Sequence, residues 1–250
     1  SRWMWRGLAG WTVLGLAIGL WPVRPGELRC TFLAVGHGSA VLLEAPNGQT
    51  LLYDAGSFAD GRRAAQIISQ ALWARGHGRL NGVVLSHPDV DHYNGLPGLT
   101  ERVPIGVVQA AATFFDFSQP PVEHACEAAA AGGVPIRVVE AGDRLRLDPD
   151  VAIRVLHPEA SFRDRHDNAN SVVLEVAYAG RTILLTGDLE GAGLESVLAD
   201  HRPPVDLLMS PHHGSLNANP ERLADWAAPR YVGVSSADVE SEARTATRYP

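Results

Sequence analysis

SHPDVDH, residues 86–92, is the stretch of sequence that decides the fold class. It follows the apolar run NGVVLS (81–86), which has the continuous hydrophobicity of a buried strand. The stretch contains four side chains of metal-ligand type, namely His87, Asp89, Asp91 and His92. Open α/β sheets place their chemistry at the carboxyl ends of strands, so this position predicts a metal site, with a solvated polar turn as the alternative. A compact turn would direct the first two side chains to one cation and the last two to a second.

Three further apolar runs end in the same kind of side chain. Asp54 closes LLYD (51–54), Asp188 closes RTILLTGD (181–188), and His212 and His213 follow DLLMSP (206–211). Two strands ending in this way would be coincidence, whereas four point to a single site.

The rest of the chain has the pattern of a mixed α/β domain. Apolar runs at 27–35, 40–45 and 49–55, separated by turn residues, predict a three-strand antiparallel meander. The spacing of apolar residues predicts a helix over 61–75. Further strands are expected at 106–110, 135–140, 151–156, 171–178, 181–186, 205–209 and 230–234, and helices near 122–131, 190–199 and 219–226.

The first thirty residues have a different composition. Residues 7–23 carry no charge, Trp11 and Trp21 lie near the ends of this run, and arginines flank it on both sides. That length is near the lower limit for crossing a bilayer, and Trp and Arg favour its interfaces. We therefore predict one transmembrane helix and a linker over 1–27, followed by a domain over 28–250. A secretory signal peptide is the alternative, but no small-residue cleavage site follows residue 23.

The composition excludes several classes of protein. A chain of 250 residues that is 46% hydrophobic and 20% charged is neither disordered nor fibrous. Its 21 Lys and Arg against 28 Asp and Glu give a net charge of −7, which argues against a broad basic surface for duplex DNA. Any contact with nucleic acid must be local. Two cysteines, Cys30 and Cys126, are too few for a disulfide scaffold or a cysteine zinc site, so metal ligands must be His and carboxylates.

Two other hydrolytic or nucleotide-binding motifs are not supported. Gly36-His37-Gly38-Ser39 lacks the Lys and the helix of a phosphate-binding loop, and it predicts a hairpin turn. No serine lies in a G-x-S-x-G elbow, so a serine hydrolase is not expected.

The order of the motifs resembles the metallo-beta-lactamase-fold hydrolases. The resemblance rests on Asp54, H-x-D-x-D-H at 87–92, T-G-D at 186–188 and P-H-H-G-S at 211–215. With FLAVGHGSAVLLEAPNGQTLLYDAGS and NANSVVLEVAYAGRTILLTGDLE, these motifs look like the C-terminal domain of the ComEC-type competence membrane channel. The resemblance implies an α/β fold, a four-layer αββα sandwich with a metal site at one edge. It also implies that the channel's last membrane helix precedes this domain and that the domain is truncated at its C-terminus.

The resemblance implies two divalent ions. One would be held by His87 and Asp89, the other by Asp91 and His92, and Asp188 would bridge them. One of His212 and His213 completes the second site, and the sequence does not choose between them. Many relatives have His where this chain has Asp89, and the extra carboxylate favours manganese, with zinc possible.

Three further residues are predicted to lie next to these ligands and to support them. Asp54 would orient a ligand by a hydrogen bond. Asn170 would offer its carbonyl to the metal or its amide to a phosphate, unless it belongs only to a turn before a strand. Ser215 follows the two histidines and is placed with this supporting group.

The function implied by the resemblance is a nuclease that degrades one strand of DNA during uptake for natural transformation. Its predicted catalytic residues are Asp91, His212 and His213. Three carboxylates against two dications leave about one positive charge, which suits a phosphodiester. The implied partners are single-stranded DNA, the membrane-embedded part of the same multi-pass protein and other DNA uptake proteins, with the domain on the extracytoplasmic side of the cell membrane.

Two alternatives stay open from the sequence. The same ligands would serve an envelope phosphodiesterase or a phosphorylcholine-type esterase. Alternatively, Ala34, Ser39 and Met209, which replace polar residues of the family, would mark a non-catalytic gate or docking domain of the channel.

Overall fold

A computed structural model describes residues 2–19, 25–116, 119–200, 205–236 and 239–249. Its helices are α1 (Arg2–Gly19), α2 (Gly61–Ala74), α3 (Val90–Tyr93), α4 (Leu96–Thr100), α5 (Thr113–Asp116), α6 (Pro120–Ala131), α7 (Gly191–Leu198), α8 (Glu221–Ala227) and α9 (Val239–Arg248). Its strands are β1 (Arg29–Phe32), β2 (Val41–Glu44), β3 (Thr50–Tyr53), β4 (Gly82–Leu85), β5 (Val108–Ala110), β6 (Ile136–Val138), β7 (Arg144–Asp148), β8 (Val151–His157), β9 (Val173–Tyr178), β10 (Arg181–Leu185), β11 (Leu207–Met209) and β12 (Tyr231–Gly233). Single 3-10 turns lie at Asp167–Asn170 and His212–Gly214.

The strands of the described residues form two six-stranded sheets. The order is β1-β2-β3-β4-β5-β6 in the first sheet and β12-β11-β10-β9-β8-β7 in the second. Neighbouring strands from β1 to β3 are antiparallel, so the predicted meander is confirmed. Neighbours from β3 to β6 are parallel, and so are those from β10 to β12. Each sheet therefore has a parallel half whose strands all end at one edge.

Alternation along the strands separates the apolar side chains into layers. Leu42 and Leu52 pack on the same side as Ile68 of α2. Leu43 points to the opposite face and packs with Leu174 of the second sheet. A third apolar cluster lies between the second sheet and α7 and α8. The layers therefore run helix, sheet, sheet, helix, which is the four-layer αββα order expected from the resemblance.

The helix predicted over 61–75 is confirmed, and it ends one residue earlier than expected. Asp60 caps its start, because the side chain accepts a hydrogen bond from the Arg62 N–H at 2.9 Å. Buried residues on one face attach it to the first sheet; they are Ala64, Ala65, Ile68, Ser69 and Leu72. This helix covers the outer face of the sheet and leaves the strand ends open.

Two hydrogen bonds join the sheets beside those strand ends. The buried Tyr53 hydroxyl donates to the carbonyl oxygen of Val172 at 2.7 Å. The Val172 N–H in turn donates to the carbonyl oxygen of Ser86 at 2.8 Å. The ends of β3 and β4 in the first sheet are therefore fixed against the start of β9 in the second.

The N-terminal helix does not support the predicted membrane span. A helix is present over Arg2–Gly19, and Trp3, Trp5 and Trp11 on it are exposed. Within the part of the chain that the structure describes, every helix is too short or too polar to cross a bilayer. Positions 20–24 of the predicted span lie outside the described residues. The predicted transmembrane helix is therefore not supported by the residues that the structure describes.

His157, at the end of β8, makes the stability of the fold depend on pH. Its Nε2 donates to the carbonyl oxygen of Ala169 at 2.8 Å, and burial lowers its pKa to about 4. In the unfolded chain the pKa is about 6.5, so between these values only the unfolded state takes up the proton. The stabilisation due to this group is complete above pH 6.5 and is lost as the pH falls towards 4.

We expect the free energy of unfolding of the wild type to fall between pH 7.5 and pH 4.5 by about 2.5 kcal/mol more than that of His157→Gln. Urea unfolding at the two pH values, with a chelator present, measures the difference. The exposed His166 provides the control, because His166→Gln should keep the wild-type pH dependence. Equal pH dependence in His157→Gln and the wild type would show that His157 is not held neutral.

Candidate metal centre

The candidate metal centre is built from strand ends of both sheets. Asp54 follows β3 and the 87–92 motif follows β4 in the first sheet, whereas Asp188 follows β10 in the second sheet. His212 and His213 follow β11, the parallel neighbour of β10. Because β3 is also parallel to β4, all four strands deliver these side chains at their carboxyl ends.

Six side chains at this edge form two groups of three. The first triad is His87, His92 and Asp188, and the second triad is His37, Asp91 and His213. In each triad, one ligand atom from every residue lies within 4.8 Å of the other two. Each triad takes two members from the first sheet and its connections, and one from the second sheet. Of the seven ligands predicted from the sequence, the structure brings five into the triads and adds His37.

Asp188 lies between the two triads. Its Oδ1 is 3.2 Å from His92 Nε2, and its Oδ2 is 3.5 Å from His213 Nε2. Burial by itself would raise the pKa of Asp188, but His92 and His213 outweigh that effect and hold the pKa far below its ordinary value. The buried carboxylate is therefore ionised and faces ligand nitrogens of both triads.

The turn before Asp188 requires glycine. Gly187 has φ +56°, and a Cβ at this position would lie 2.7 Å from the Ser86 Cβ. Any larger residue would both strain the backbone and displace the neighbouring strand end. The T-G-D sequence thus sets the carboxylate directly against the end of β4.

Asp54 orients both histidines of the first triad. Its Oδ2 accepts a hydrogen bond from His92 Nδ1 at 2.8 Å and one from the Ser86 hydroxyl at 3.0 Å. The Ser86 oxygen lies 2.9 Å from His87 Nδ1. Because the carboxylate only accepts, Nδ1 of each ring donates on this side, and each Nε2 points into the centre, where a metal ion would take the place of its proton. Burial alone would lower the pKa of His92, but Asp188 and Asp54 raise it well above its ordinary value.

His213 is the more buried of the two adjacent histidines. Its Nδ1 donates to the carbonyl oxygen of Ser235 at 2.6 Å, and its Nε2 lies 3.1 Å from Asp91 Oδ2. The side chain is 6% exposed. Burial opposes protonation of His213, but the hydrogen bond that its Nε2 donates to Asp91 and the charge of Asp188 raise its pKa above the ordinary value.

His212 has a different environment. Its Nδ1 donates to Glu190 Oε2 at 2.9 Å, and its Nε2 lies 3.8 Å from Asp188 Oδ2. The side chain is 35% exposed and belongs to neither triad. Both histidines have positive φ, 49° for His212 and 52° for His213. Two consecutive non-glycine residues in this strained region are typical of a functional site, and here they direct the two rings to different neighbours.

The grouping of ligands along the 87–92 motif differs from the prediction. The sequence predicted that Asp91 and His92 share one ion, but the structure places them in different triads. Both lie on the short helix α3, and consecutive residues on a helix point about 100° apart. His92 therefore turns towards His87, and Asp91 turns towards His213.

Besides Asp54 and His212, three further predicted site residues lie outside both triads. Asp89 is at the rim, where its side chain is 46% exposed and its Oδ2 lies 3.4 Å from His87 Nε2. Asn170 uses its amide within its own loop, because it accepts from the Asp164 N–H and donates to the carbonyl oxygens of Asp164 and His166. These contacts are those of a turn, the alternative left open by the sequence, and the contact to metal or phosphate stays a prediction. Ser215 acts through its backbone, which donates to the His212 carbonyl oxygen at 2.8 Å.

The residues of the first triad fit a bound metal ion. Among the described residues, buried polar atoms that find no hydrogen-bond partner include His87 Nε2, His92 Nε2 and Asp188 Oδ1. Leaving such atoms unpaired costs free energy, so three of them converging on one place fit a bound ligand. Two neutral imidazoles and a carboxylate are suitable donors for Zn²⁺ or Mn²⁺.

Sequence reasoning missed two residues of the centre. His37 was assigned to a hairpin turn, and it does lie in the connection between β1 and β2, but its ring is 4.6 Å from that of His213. Glu190 was not singled out, although it follows the T-G-D motif by two residues and orients His212. The signal that could have identified His37 is its position between two glycines. The signal for Glu190 is that it is a second carboxylate close to Asp188 in the sequence.

The αββα layers and the His/Asp centre define a metal-binding α/β fold that is found mainly in hydrolases. The model of the metallo-beta-lactamase superfamily matches residues 33–224. The chain therefore belongs to the metallo-beta-lactamase superfamily.

The names of individual relatives are more specific than that of the superfamily. The chain is 29% identical over 238 residues to "Competence protein ComA" of Neisseria gonorrhoeae, a match that covers 92% of this chain and 30% of the relative. It is 26% identical over 231 residues to "ComE operon protein 3" of Bacillus subtilis (strain 168), covering 87% of this chain and 29% of the relative. The chain thus spans about 30% of the length of these relatives.

A solved structure shares the fold. It is a Cronobacter sakazakii metallo-beta-lactamase with a HARLDQ motif, which is 18% identical in sequence. The TM-score is 0.53, and the superposition covers 91% of this chain and 93% of that chain.

Proposed function

We propose that this chain is a metal-dependent phosphodiesterase, and more narrowly a nuclease that degrades one strand of DNA during uptake for natural transformation. The observation that carries the proposal is the position of Asp188, whose two oxygens face ligand nitrogens of different triads. A carboxylate placed in this way would hold two ions together. Two divalent ions bound here would polarise a phosphodiester and lower the pKa of water.

The charge of the centre suits an anionic substrate. Two dications contribute four positive charges, and the carboxylates of Asp91, Asp188 and the rim residue Asp89 remove three. About one positive charge remains, which favours a phosphodiester over a neutral substrate. Asp89 would add an oxygen ligand at the entrance, so we propose manganese as the favoured metal, with zinc possible.

His212 is proposed to act on the substrate, and His213 to hold metal. His213 is buried and belongs to the second triad, whereas His212 is part-exposed beside Asp188. Because Glu190 accepts the Nδ1 proton of His212, the Nε2 faces the centre and is available to hold or transfer a proton at the substrate phosphate.

The biological setting is proposed from the relatives. Both carry names that refer to competence, and the chain matches a limited part of each. We propose that the chain acts on single-stranded DNA with other DNA uptake proteins, as part of a longer protein of the cell membrane, on its extracytoplasmic side.

The proposal is tested with 5′-labelled single-stranded DNA and Mn²⁺. We expect the wild type to degrade the DNA and to lose this activity when a chelator removes the metal. His212→Ala should lower kcat by about 100-fold and keep the wild-type metal content, because His212 lies outside both triads. Metal content is measured by elemental analysis of the dialysed protein.

The exposed His124 on α6 supplies the matched control, since His124→Ala should have wild-type kcat and metal content. Degradation that persists without metal would contradict the proposed mechanism. Hydrolysis of a phosphorylcholine ester, with single-stranded DNA left intact, would replace the nuclease by an esterase. Two bound ions with no hydrolysis of either substrate would favour a gate or docking domain.

A further inference from the structure

His37 occupies a position that a hairpin turn does not explain. Its imidazole is exposed at the mouth of the centre, and its ring lies 4.6 Å from the ring of His213. One of its nitrogens is within 4.8 Å of ligand atoms of Asp91 and His213. An exposed turn histidine with no role would have no reason to face two other ligand-type side chains.

The backbone around His37 is fixed to the elements that carry the other two members of the second triad. The Ser39 N–H donates to the carbonyl oxygen of Asp91 at 3.1 Å. The Ser235 hydroxyl donates to the carbonyl oxygen of Gly38 at 2.7 Å, and the Ser235 carbonyl accepts the hydrogen bond from His213. The carbonyl oxygen of His37 itself accepts from the Phe58 N–H at 2.7 Å. The imidazole is therefore presented by a tethered segment.

Gly38 allows this close approach. A Cβ at Gly38 would lie 2.6 Å from the Gly56 carbonyl oxygen and 2.8 Å from the Asp91 carbonyl oxygen, and the residue has φ +149°. Only glycine fits between these backbone atoms without a shift. The glycines next to His37 thus allow the turn to pack against the metal centre. The G-H-G sequence therefore positions His37 in addition to forming the turn.

His37 also balances the two triads. The first triad has two histidines of its own plus Asp188, whereas without His37 the second would have only Asp91 and His213 beside the shared carboxylate. Ligand atoms around one ion at about 2.1 Å lie at most about 4.2 Å apart. Those of the second triad lie within 4.8 Å of one another, and Asp91 Oδ2 is 3.1 Å from His213 Nε2, so a small shift at most would let them meet on one ion. A neutral imidazole completes the site without cancelling the positive charge that attracts a phosphodiester.

We propose that His37 is a ligand of the second metal ion, together with Asp91 and His213. This inference rests on the proposed two-ion centre. Because His37 is exposed and the first triad is buried, the second ion is the more weakly held and the more exchangeable of the two.

The test is a titration of the metal-free chain with Co²⁺, followed by calorimetry and by the visible absorption of the ion. The wild type should bind two ions. His37→Ala should bind the first with wild-type affinity and the second at least about tenfold more weakly, with a changed absorption spectrum for the second ion. His37→Gln should behave in the same way, and His124→Ala should match the wild type.

The first two outcomes separate the inference from the nuclease proposal. A His37→Ala chain that binds two ions with wild-type affinity and spectrum overturns it, and slower DNA degradation in that case would assign His37 to the substrate. Loss of the second ion without any nuclease activity in the wild type would support the ligand assignment and contradict the nuclease. A wild type that binds fewer than two ions would contradict both. Equal melting temperatures of the metal-free wild type and His37→Ala show that the variant is folded.

Discussion

Asp188→Asn should reduce the rate of phosphodiester hydrolysis by about 1000-fold or more, because the loss of several kcal/mol of transition-state stabilisation corresponds to such a factor. Asn has nearly the same shape as Asp, so the change removes the charge and leaves the packing. The buried side chain faces His92 on one side and His213 on the other, and both triads lose their only shared anion. We also expect the protein to retain fewer than two ions after dialysis.

The measurements are kcat on labelled single-stranded DNA in Mn²⁺ and the metal content of the same sample. Asp225→Asn is the matched control, because Asp225 is exposed on α8 and the same chemical change there should leave both quantities unaltered. If Asp188→Asn kept two tightly bound ions and a rate within tenfold of the wild type, the bridging role of Asp188 would be wrong.

Asp54→Ala should weaken metal binding by about 10- to 100-fold, the usual effect of removing a residue that orients a metal-binding histidine. Asp54 is fully buried and accepts hydrogen bonds from the Ser86 N–H, the Ser86 hydroxyl and His92 Nδ1. Without it, these donors are buried and unpaired, which should lower the free energy of unfolding of the metal-free protein by about 3 kcal/mol. The backbone contributes to the loss, since Asp54 has φ +61°, a conformation that Asp and Asn adopt more readily than Ala. Urea unfolding and Co²⁺ titration measure the two effects.

Asp54→Asn separates the structural effect from the effect on the ligand. The amide keeps the shape and the favourable backbone preference, so stability should recover in part. It has one acceptor oxygen where the carboxylate has two, so its NH2 group must face either the Ser86 N–H or the pair formed by the Ser86 hydroxyl and His92 Nδ1. Without the charge and with one acceptor fewer, metal affinity should stay low. Wild-type metal affinity in both variants would exclude the proposed orienting role.

The sequence predicted the strand ends of the centre because each combines two local signals. Val83, Val84 and Leu85 are a continuous apolar run that can only be buried, and the ligand-type residues follow at once. The same signals marked β3, β10 and β11. Parallel strands end at the same edge of a sheet. The sequence could therefore predict that these residues lie close together, although it gives no distances between them.

What the sequence could not supply depends on contacts between distant segments. His37 joins Asp91 and His213 through a turn held by Ser235, and no local pattern encodes that meeting. Strand β7 was missed for a different reason. Leu145 and Leu147 alternate with exposed arginines over five residues, which is too short and too charged to stand out before its pairing with β8 is known.

The division of each triad between the two sheets has a thermodynamic consequence. An ion bound by side chains from both halves of the sandwich can be held only while those halves remain joined, so its binding free energy adds to the cohesion of the folded state. For one site, a free metal concentration 100 times the dissociation constant contributes about 2.7 kcal/mol. Metal scarcity would therefore lower the resistance of the folded chain to heat and proteolysis together with the proposed activity.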